Sequence, residues 1–355
     1  MDSLTQFALG ATVAALTLGK TLGPRKAAIL GGVLGTLPDL DVIIPFDNPV
    51  DTFVMHRGWT HSLAVHALAA PILGEILVRI VNPLKECRTL VWLTVFLCLS
   101  THALIDAMTV YGTRLFWPFH PDPVGVGSIF IIDPLYTLPL LGVVIWAMTR
   151  QNWSPRLGDW LKTALIVSTA YMGLGVVLQA QTERRARVIF ANAGIATESV
   201  FAIAAPFNIV LWKVIGLEDD RYHNLYLSVF DGDQPARIYT HQRRPELVAC
   251  LGDVDAFEKL EWFSRGYYRA DREKEKIVVS DLRMGLTPNY VFRFAIAEHI
   301  GKAVHWIPPE VILNQPRMVD GDLDWLMDRS FGRPATRAAE AVDPEPIDQS
   351  EFTAC

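Results

Sequence analysis

The chain has 355 residues, of which 51% are apolar and 20% are charged, and its formal net charge is -6. Positions 1–180 contain 22 charged residues, 11 of each sign, whereas positions 181–355 contain 48. This composition excludes a disordered chain, a disulfide-rich secreted module and a basic nucleic-acid-binding protein. The long, weakly charged first half is instead typical of a membrane domain.

Six apolar stretches in the first half have about the length of a membrane-spanning helix, roughly 17–25 residues. They lie near positions 4–20, 27–46, 61–81, 90–110, 129–148 and 162–180. Gly31 and Gly35 form a G-x-x-x-G motif in the second stretch, which allows another helix to approach closely. The sequence therefore predicts a mainly α-helical membrane domain over residues 1–182, with about six transmembrane helices in a bundle.

The basic residues of the connections between these stretches predict an orientation. Nine of them fall on alternate connections: Lys20, Arg25, Lys26, Arg79, Lys85, Arg88, Arg150, Arg156 and Lys162. The short connections on the other side carry only Arg57 and Arg114. Because connections rich in lysine and arginine stay in the cytoplasm, we expect a multi-pass protein whose C-terminal part is extracytoplasmic.

The hydrophobic period changes after residue 182. Short β-branched or aromatic segments are separated by turn residues, which is typical of strands, at 208–215, 222–230, 236–241, 276–282 and 290–297. Residues 254–265 have a helical pattern. We predict a small α+β domain with a largely antiparallel sheet over residues 183–331, followed by a disordered tail over residues 332–355.

The few ionisable residues of the membrane half form three clusters. They are Asp39 with Asp41, His56 with Arg57 and His61, and His102 with Asp106. The last two lie four positions apart and therefore share one helix face. In the predicted topology all three clusters lie toward the outer side, and ionisable residues inside a membrane are costly enough to indicate a functional site.

Carboxylates mixed with imidazoles are the ligands of Zn²⁺, with Mn²⁺ or Fe²⁺ as alternatives. The predicted core ligands are Asp39, His61, His102 and Asp106. Asp41 and His56 are predicted to complete a second metal position or to act as a base. Arg57 is predicted to contact an anionic group of the substrate. A metal site of this kind makes water nucleophilic near neutral pH, so Asp41, His56 and Arg57 are the candidate catalytic residues.

Three other residues have structural interpretations. His66 lies five positions after His61, on another helix face, and is predicted to be a packing histidine. Asp133 precedes Pro134, which is the pattern of a helix N-cap followed by its first residue. His120 lies in a proline-rich loop and is kept as an outer candidate for the site.

Linked motifs in both halves of the chain resemble one bacterial family. They read MDSLTQ, GTLPDLD, HRGWTHSL, THALIDAMTVYGTRLFWPF and SIFIIDPLYTLPLL in the first half, and WFSRGYY and DLRMG in the second. Together they resemble the membrane-bound, metal-dependent hydrolase family whose members are described as LexA-regulated and associated with the inner membrane. The resemblance covers about residues 1–310. It implies a multi-span inner-membrane protein with metal-binding positions at Asp39, Asp41, His56, His61, His102 and Asp106.

A helical histidine followed four residues later by an aspartate is also similar to the zinc-dependent phospholipase C and nuclease group. This likeness implies cleavage of a phosphoester, with a lipid or envelope component as the expected substrate and the lipid bilayer as the expected environment. Some relatives have histidine where this chain has Gln6. Two alternatives stay open: a non-catalytic membrane scaffold or metal sensor, and a transporter. The sequence does not indicate an oligomeric state.

Overall fold

The computed structural model describes residues 1–232, 235–249, 251, 254–300, 303–313 and 318–341. The chain divides into two compact units. The first consists of Met1–Ile44, His56–Val177 and Pro206–Ile209, and the second of Pro45–Met55, Leu178–Ala205 and Val210–Cys355. The division between Val177 and Leu178 falls inside one helix, Pro155–Asn192. The segment Pro45–Met55 belongs with the second unit.

The α-helices are α1 (Ser3–Leu22), α2 (Pro24–Thr36), α3 (Pro49–Met55), α4 (Leu63–Ile80), α5 (Arg88–Met108), α6 (Pro134–Thr149), α7 (Pro155–Asn192), α8 (Glu246–Ala249), α9 (Asp255–Ser264) and α10 (Asp322–Ser330). Short 3-10 helices cover Pro38–Ile43, Trp59–His61, Asn82–Cys87 and Ala338–Glu340. Asp133 caps α6 as predicted, because its carboxylate accepts hydrogen bonds from the backbone N–H groups of Leu135 and Tyr136.

Within the described residues, three helical segments are long and apolar enough to cross a membrane. They are Leu63–Ile80, Asn82–Met108 and Pro155–Asn192, and the apolar helix α6 is shorter. A helical first half with candidate membrane spans is thereby confirmed, whereas the count of six spans stays a prediction. Helix α7 has 38 residues, so at about 1.5 Å per residue it extends beyond the roughly 30 Å hydrocarbon core of a bilayer.

Helices α1 and α2 pack closely through glycines, including the predicted G-x-x-x-G motif. A Cβ atom on Gly31 would lie 2.2 Å from the carbonyl oxygen of Gly10, and one on Gly35 would lie 2.7 Å from that of Gln6. No side chain fits in either gap, because real non-bonded contacts are longer than about 3 Å. This close packing brings the end of α2 beside α1 and α5.

Helix α5 is the most enclosed of the candidate spans. The apolar window that includes α5 is 61% buried, whereas those of α4 and α7 are each 22% buried. Leu68 and Ile72 of α4 are among the exposed apolar side chains, and such a surface fits contact with lipid. A polar side chain on the inner face of α5 is therefore surrounded by protein.

The described residues of the second unit form two four-stranded antiparallel sheets and a short hairpin, which confirms the predicted antiparallel architecture. The strands are β1 (Ser199–Ala204), β2 (Leu211–Leu217), β3 (Arg221–Ser228), β4 (Tyr239–Gln242), β5 (Tyr268–Glu273), β6 (Lys276–Asp281), β7 (Gly285–Leu286), β8 (Asn289–Tyr290), β9 (Arg293–Ile300) and β10 (Ala303–Val311). The sheet orders are β1-β2-β3-β4 and β10-β9-β6-β5, with β7 paired to β8.

The ordered part of the second unit extends past residue 331, where the disordered tail was predicted to begin. Arg337 and Glu340 are 2% and 3% exposed and form ion pairs or hydrogen bonds inside this unit. Buried partners, which a charge-rich composition does not reveal, hold the segment in place. The remainder of the predicted tail, residues 342–355, lies outside the described residues.

Candidate metal centre

Four of the predicted ligands come together in the first unit: Asp39, His61, His102 and Asp106. One ligand atom from each lies within 4.8 Å of all the others. His102 and Asp106 occupy the inner face of α5, while Asp39 and His61 come from two 3-10 helices. The side chain of Asp39 is 23% exposed and the other three are fully buried, so the cluster has a partly open side at Asp39.

The distances between these atoms match those of a small coordination site. The Nε2 atoms of His61 and His102 are 3.1 Å apart. Each lies 3.4 Å from Asp39 Oδ1, and they lie 3.4 and 3.5 Å from Asp106 Oδ2. Metal–ligand bonds of about 2.0–2.1 Å in a tetrahedral site place the ligand atoms roughly 3.3 Å apart. The cluster therefore has the dimensions of a single transition-metal site.

Hydrogen bonds outside the cluster determine which ring nitrogens face it. His102 Nδ1 donates to the carbonyl oxygen of Gly35 at 2.6 Å. Thr60 Oγ1 donates to Asp41 Oδ2 at 2.8 Å and lies 3.0 Å from His61 Nδ1, from which it can accept a proton. Both rings then carry their proton on Nδ1 and direct the Nε2 lone pair inward. This is the usual arrangement of histidines that bind a metal.

Two buried carboxylate oxygens also indicate that the cluster fits a cation. Asp39 Oδ1 and Asp106 Oδ2 accept no hydrogen bond from the part of the chain that the structure describes. Arg57 Nε lies 3.1 Å from Asp106 Oδ2 as an ion pair. Buried polar atoms are costly when they lack partners, and the two inward Nε2 lone pairs repel each other. A divalent metal ion among these atoms would satisfy all four of them, so the residues present fit such an ion.

Asp41 and His56 lie next to the cluster as a hydrogen-bonded pair. Asp41 Oδ1 is 2.8 Å from His56 Nδ1, and Asp41 Oδ2 accepts the backbone N–H of Arg57 at 2.9 Å. The side chain of His56 is 26% exposed, and its ring centre lies 6.2 Å from that of His61. Asp41 therefore connects the loop that carries His56 and Arg57 to the 3-10 helix that carries Asp39.

Arg57 reaches the centre from a backbone conformation that is uncommon for its residue type. Its φ angle is +60°, in the left-handed region, and the residue is 5% exposed. The guanidinium donates to Thr109 Oγ1 at 3.3 Å and lies 5.0 Å from the ring centre of Tyr111. Holding a non-glycine residue at this φ costs on the order of 1 kcal/mol or more, and such residues concentrate at functional sites.

The structure adds contacts that sequence reasoning assigned no role. Gln6 Nε2 donates to Asp106 Oδ1 at 3.0 Å, and the amino group of Met1 forms an ion pair with the same oxygen. Gln6 Nε2 also lies 3.4 Å from His102 Nε2. The sequence signals for these contacts were the motif MDSLTQ and the histidine that some relatives have in place of Gln6, because α1 otherwise has the pattern of an apolar helix.

The other predicted residues have separate places. His66 Nε2 donates to the carbonyl oxygen of Thr60 at 2.8 Å, so this buried histidine supports the loop before α4 as a packing residue. His120 has a largely exposed side chain that lies 3.8 Å from Asp122. It does not belong to the four-residue cluster.

Comparisons with known proteins address the first half of the chain. The model of the family described as YdjM inner membrane protein matches residues 1–182. "Uncharacterized protein YfhP" of Bacillus subtilis strain 168 is 26% identical over 192 residues, which make up 52% of this chain and 57% of that protein. "Inner membrane protein YbcI" of Escherichia coli strain K12 is 33% identical over 103 residues, which make up 29% of this chain and 58% of that protein. The chain thus spans less than two thirds of the length of these curated relatives. No solved structure matches it.

Proposed function

Because the chain belongs to the YdjM inner membrane protein family, we propose that it is a membrane-bound, metal-dependent hydrolase of the bacterial inner membrane. The observation that carries the proposal is the cluster of Asp39, His61, His102 and Asp106. Its donor set favours Zn²⁺, with Mn²⁺ or Fe²⁺ as alternatives. When bound, such an ion supplies Lewis acidity and lowers the pKa of water toward neutrality.

We assign the role of general base to His56 and that of its positioning partner to Asp41. The carboxylate of Asp41 holds the proton of His56 on Nδ1, which leaves Nε2 as the basic nitrogen. A carboxylate in this position also stabilises the imidazolium that forms when the ring accepts a proton. The partial exposure of His56 allows it to pass that proton to solvent.

We assign to Arg57 the role of binding the negatively charged group of the substrate. In the structure its guanidinium is paired with Asp106, so a metal ion that takes up the charge of Asp106 would release part of this interaction. The planar guanidinium forms strong, charge-assisted hydrogen bonds to phosphate oxygens. This chemistry favours a phosphoester over a neutral substrate.

A lipid or envelope phosphoester is the proposed substrate class. Large apolar side chains next to the ligands are exposed: Leu40 at 54%, Val42 at 67%, Ile43 at 76% and Trp59 at 51%. Tryptophan is typical of the membrane–water interface, and a group of exposed apolar side chains is typical of a surface that contacts a membrane. We propose that the centre lies at the outer interface of a six-span bundle, at the depth of the lipid headgroups.

The test measures turnover of lipid substrates by the metal-loaded protein in detergent or vesicles. For each lipid of a panel, the release of its phosphate-containing headgroup is measured. We expect the wild type and His120→Ala to be active, and His102→Ala to lose both metal and turnover. His56→Ala should keep the metal and lose about 10²–10⁴-fold in turnover, which is the usual contribution of a general base.

Turnover that is absent for every headgroup, from folded protein that carries its metal, would contradict hydrolysis of lipid phosphoesters. The scaffold or metal-sensor interpretation would then take precedence. A partner that binds equally well to wild type and His102→Ala would support a scaffold. Metal-dependent binding of the partner would support a sensor.

A further inference from the structure

The second unit contains a polar cluster where a sheet normally presents apolar side chains. Side chains alternate between the two faces of a strand, and directly paired residues share a face. By this rule one face of the sheet β1-β2-β3-β4 carries Lys213, Tyr222, Asn224, Tyr226 and His241 together. All five are buried. Buried polar groups are normally hydrogen-bonded, so a sheet face with this many of them needs partners from outside the sheet.

Three donors on this face converge on one carboxylate. His241 Nε2 lies 2.8 Å from Glu340 Oε2, and Asn224 Nδ2 donates to the same oxygen at 3.1 Å. The hydroxyl of Tyr226 donates to Glu340 Oε1. The ammonium of Lys213 lies on the same face and donates to two backbone carbonyl oxygens, those of Leu282 and Gly285. These groups form a positively polarised cradle for a single anion.

Glu340 itself belongs to the C-terminal segment, residues 333–341, and not to either sheet. The segment is held by Arg337, whose guanidinium forms a double ion pair with Asp322. Its 3-10 helix covers only Ala338–Glu340. The carboxylate therefore reaches the cradle from a short segment outside both sheets.

Glu340 does not satisfy the whole cradle. Among the described residues, Asn224 Oδ1 and His241 Nδ1 are buried and form no hydrogen bond. A carboxylate can accept hydrogen bonds but cannot donate them, so it leaves the amide oxygen of Asn224 without a donor. Each unsatisfied buried polar atom is costly, and native structures keep few of them. A purely structural anchor gives no reason to retain these atoms, whereas a ligand with an additional polar group does.

We propose that Asn224, Tyr226 and His241 form a binding site for a small carboxylate ligand, and that Glu340 of the C-terminal segment is its exchangeable internal occupant. The ligand's carboxylate replaces that of Glu340, and a donor group beside it pairs with Asn224 Oδ1. Binding displaces residues 333–341 from the sheet face. The site is separate from the metal centre and does not depend on the function proposed for it.

The first test fills the cradle in a variant that lacks the internal carboxylate. Glu340→Ala keeps the Cβ atom, and acetate replaces the atoms that the substitution removes. We expect acetate to raise the unfolding temperature of the full-length variant by roughly 2–4 °C, because a ligand that binds only the folded state stabilises it. Acetamide or chloride at equal ionic strength should not do so. Asn224→Ala in the same background should reduce the effect.

The second test asks whether a carboxylate ligand can displace the carboxylate of Glu340 in the wild type. Arg337 is 2% exposed and its guanidinium is paired with Asp322, so trypsin should cut after it only when the segment lifts away. Propionate, which reproduces the side chain of Glu340 beyond Cα, should accelerate release of the fragment 338–355 several-fold, while propionamide should not. Failure of acetate to stabilise Glu340→Ala would overturn the carboxylate site. Stabilisation without faster cleavage of the wild type would show a fixed anchor and overturn exchange.

Discussion

Thr60 lies next to the candidate metal centre but is not one of its four predicted ligands. Its hydroxyl donates to Asp41 and lies 3.0 Å from His61 Nδ1. The corresponding partner of His102 is the backbone carbonyl of Gly35, which substitution cannot remove. Thr60 is therefore the position at which the orientation of one imidazole can be changed selectively.

We predict that Thr60→Val lowers metal affinity about 10–100-fold, the usual cost of losing a hydrogen bond to a ligating histidine. Valine preserves the shape of the side chain but cannot accept the proton of His61 Nδ1. Thr60→Ser keeps the hydroxyl and should bind metal like the wild type. Competition with a metal chelator measures both affinities, and equal values for the valine and serine variants would contradict the role assigned to Thr60.

A second prediction at the residue scale concerns Lys213 in the second unit. Burial lowers the pKa of its ammonium from an ordinary value of 10.5 to about 8. Between these two values the unfolded chain binds more protons at this position than the folded chain does. The contribution of Lys213 to the free energy of unfolding therefore rises as the pH increases from about 8 toward 10.5.

Denaturant unfolding at several pH values in this range tests the effect. As the pH rises, the free energy of unfolding of the wild type should increase relative to that of Lys213→Met. Lys276→Met is a suitable control, because Lys276 is partly exposed at the start of β6. A difference between the wild type and Lys213→Met that stays constant over this range would contradict the lowered pKa.

At the scale of elements, the contact between α1 and α2 positions the end of α2 near α5. Gly31→Ala would place a methyl group 2.2 Å from the carbonyl oxygen of Gly10. We expect this overpacking to lower the free energy of unfolding by about 1–3 kcal/mol. It should also weaken metal binding, because Gly35, whose carbonyl oxygen accepts the hydrogen bond of His102, lies one helical turn further along α2. Gly142 of α6 is the matched control, because nothing lies within 4 Å of its added Cβ.

Gly142→Ala should be neutral or stabilising by about 0.5–1 kcal/mol, because glycine weakens a helix interior relative to alanine. Unfolding of both variants in the same detergent and their metal content provide the comparison. If Gly31→Ala were as stable as Gly142→Ala, the close packing of α1 on α2 would not hold.

The local sequence pattern predicts some elements correctly and misses others for identifiable reasons. The spacing of His102 and Asp106 placed both on one face of a helix, and short β-branched or aromatic segments between turn residues predicted β2, β3 and β6. Strand β10 was missed because Pro308 and Pro309 interrupt it where its register with β9 shifts. The buried Glu340 was missed because a charged residue in an Ala- and Pro-rich segment is typical of disorder.

The centre itself was predictable only in part. Asp39, His61, His102 and Asp106 are all side chains whose chemistry suggests a metal. Gln6 and Thr60 have no such signature, and their roles arise from packing between segments that are distant in the sequence. The left-handed backbone of Arg57 is likewise a tertiary effect that no local motif indicates.

At the scale of the whole molecule, the distribution of basic residues predicts that the metal centre and the C-terminal part lie outside the cytoplasm. Lys85 lies in the connection between α4 and α5, and His120 lies in the loop between α5 and α6. In a background with the native cysteines replaced by serine, His120→Cys should react with a membrane-impermeant maleimide on intact spheroplasts. Lys85→Cys should react only after permeabilisation. The reverse pattern would contradict the proposed orientation.

The central claim is that the buried cluster of histidines and aspartates binds a metal. Elemental mass spectrometry of detergent-purified wild type, His61→Ala and His102→Ala tests it most directly, once each protein is shown to be folded and monodisperse. We predict about one divalent transition metal ion per wild-type chain, as expected for a single four-ligand site, and loss of that ion from both variants. If all three proteins were equally empty after reloading with zinc, manganese or iron, the cluster would be structural and the account of a metal centre would be wrong.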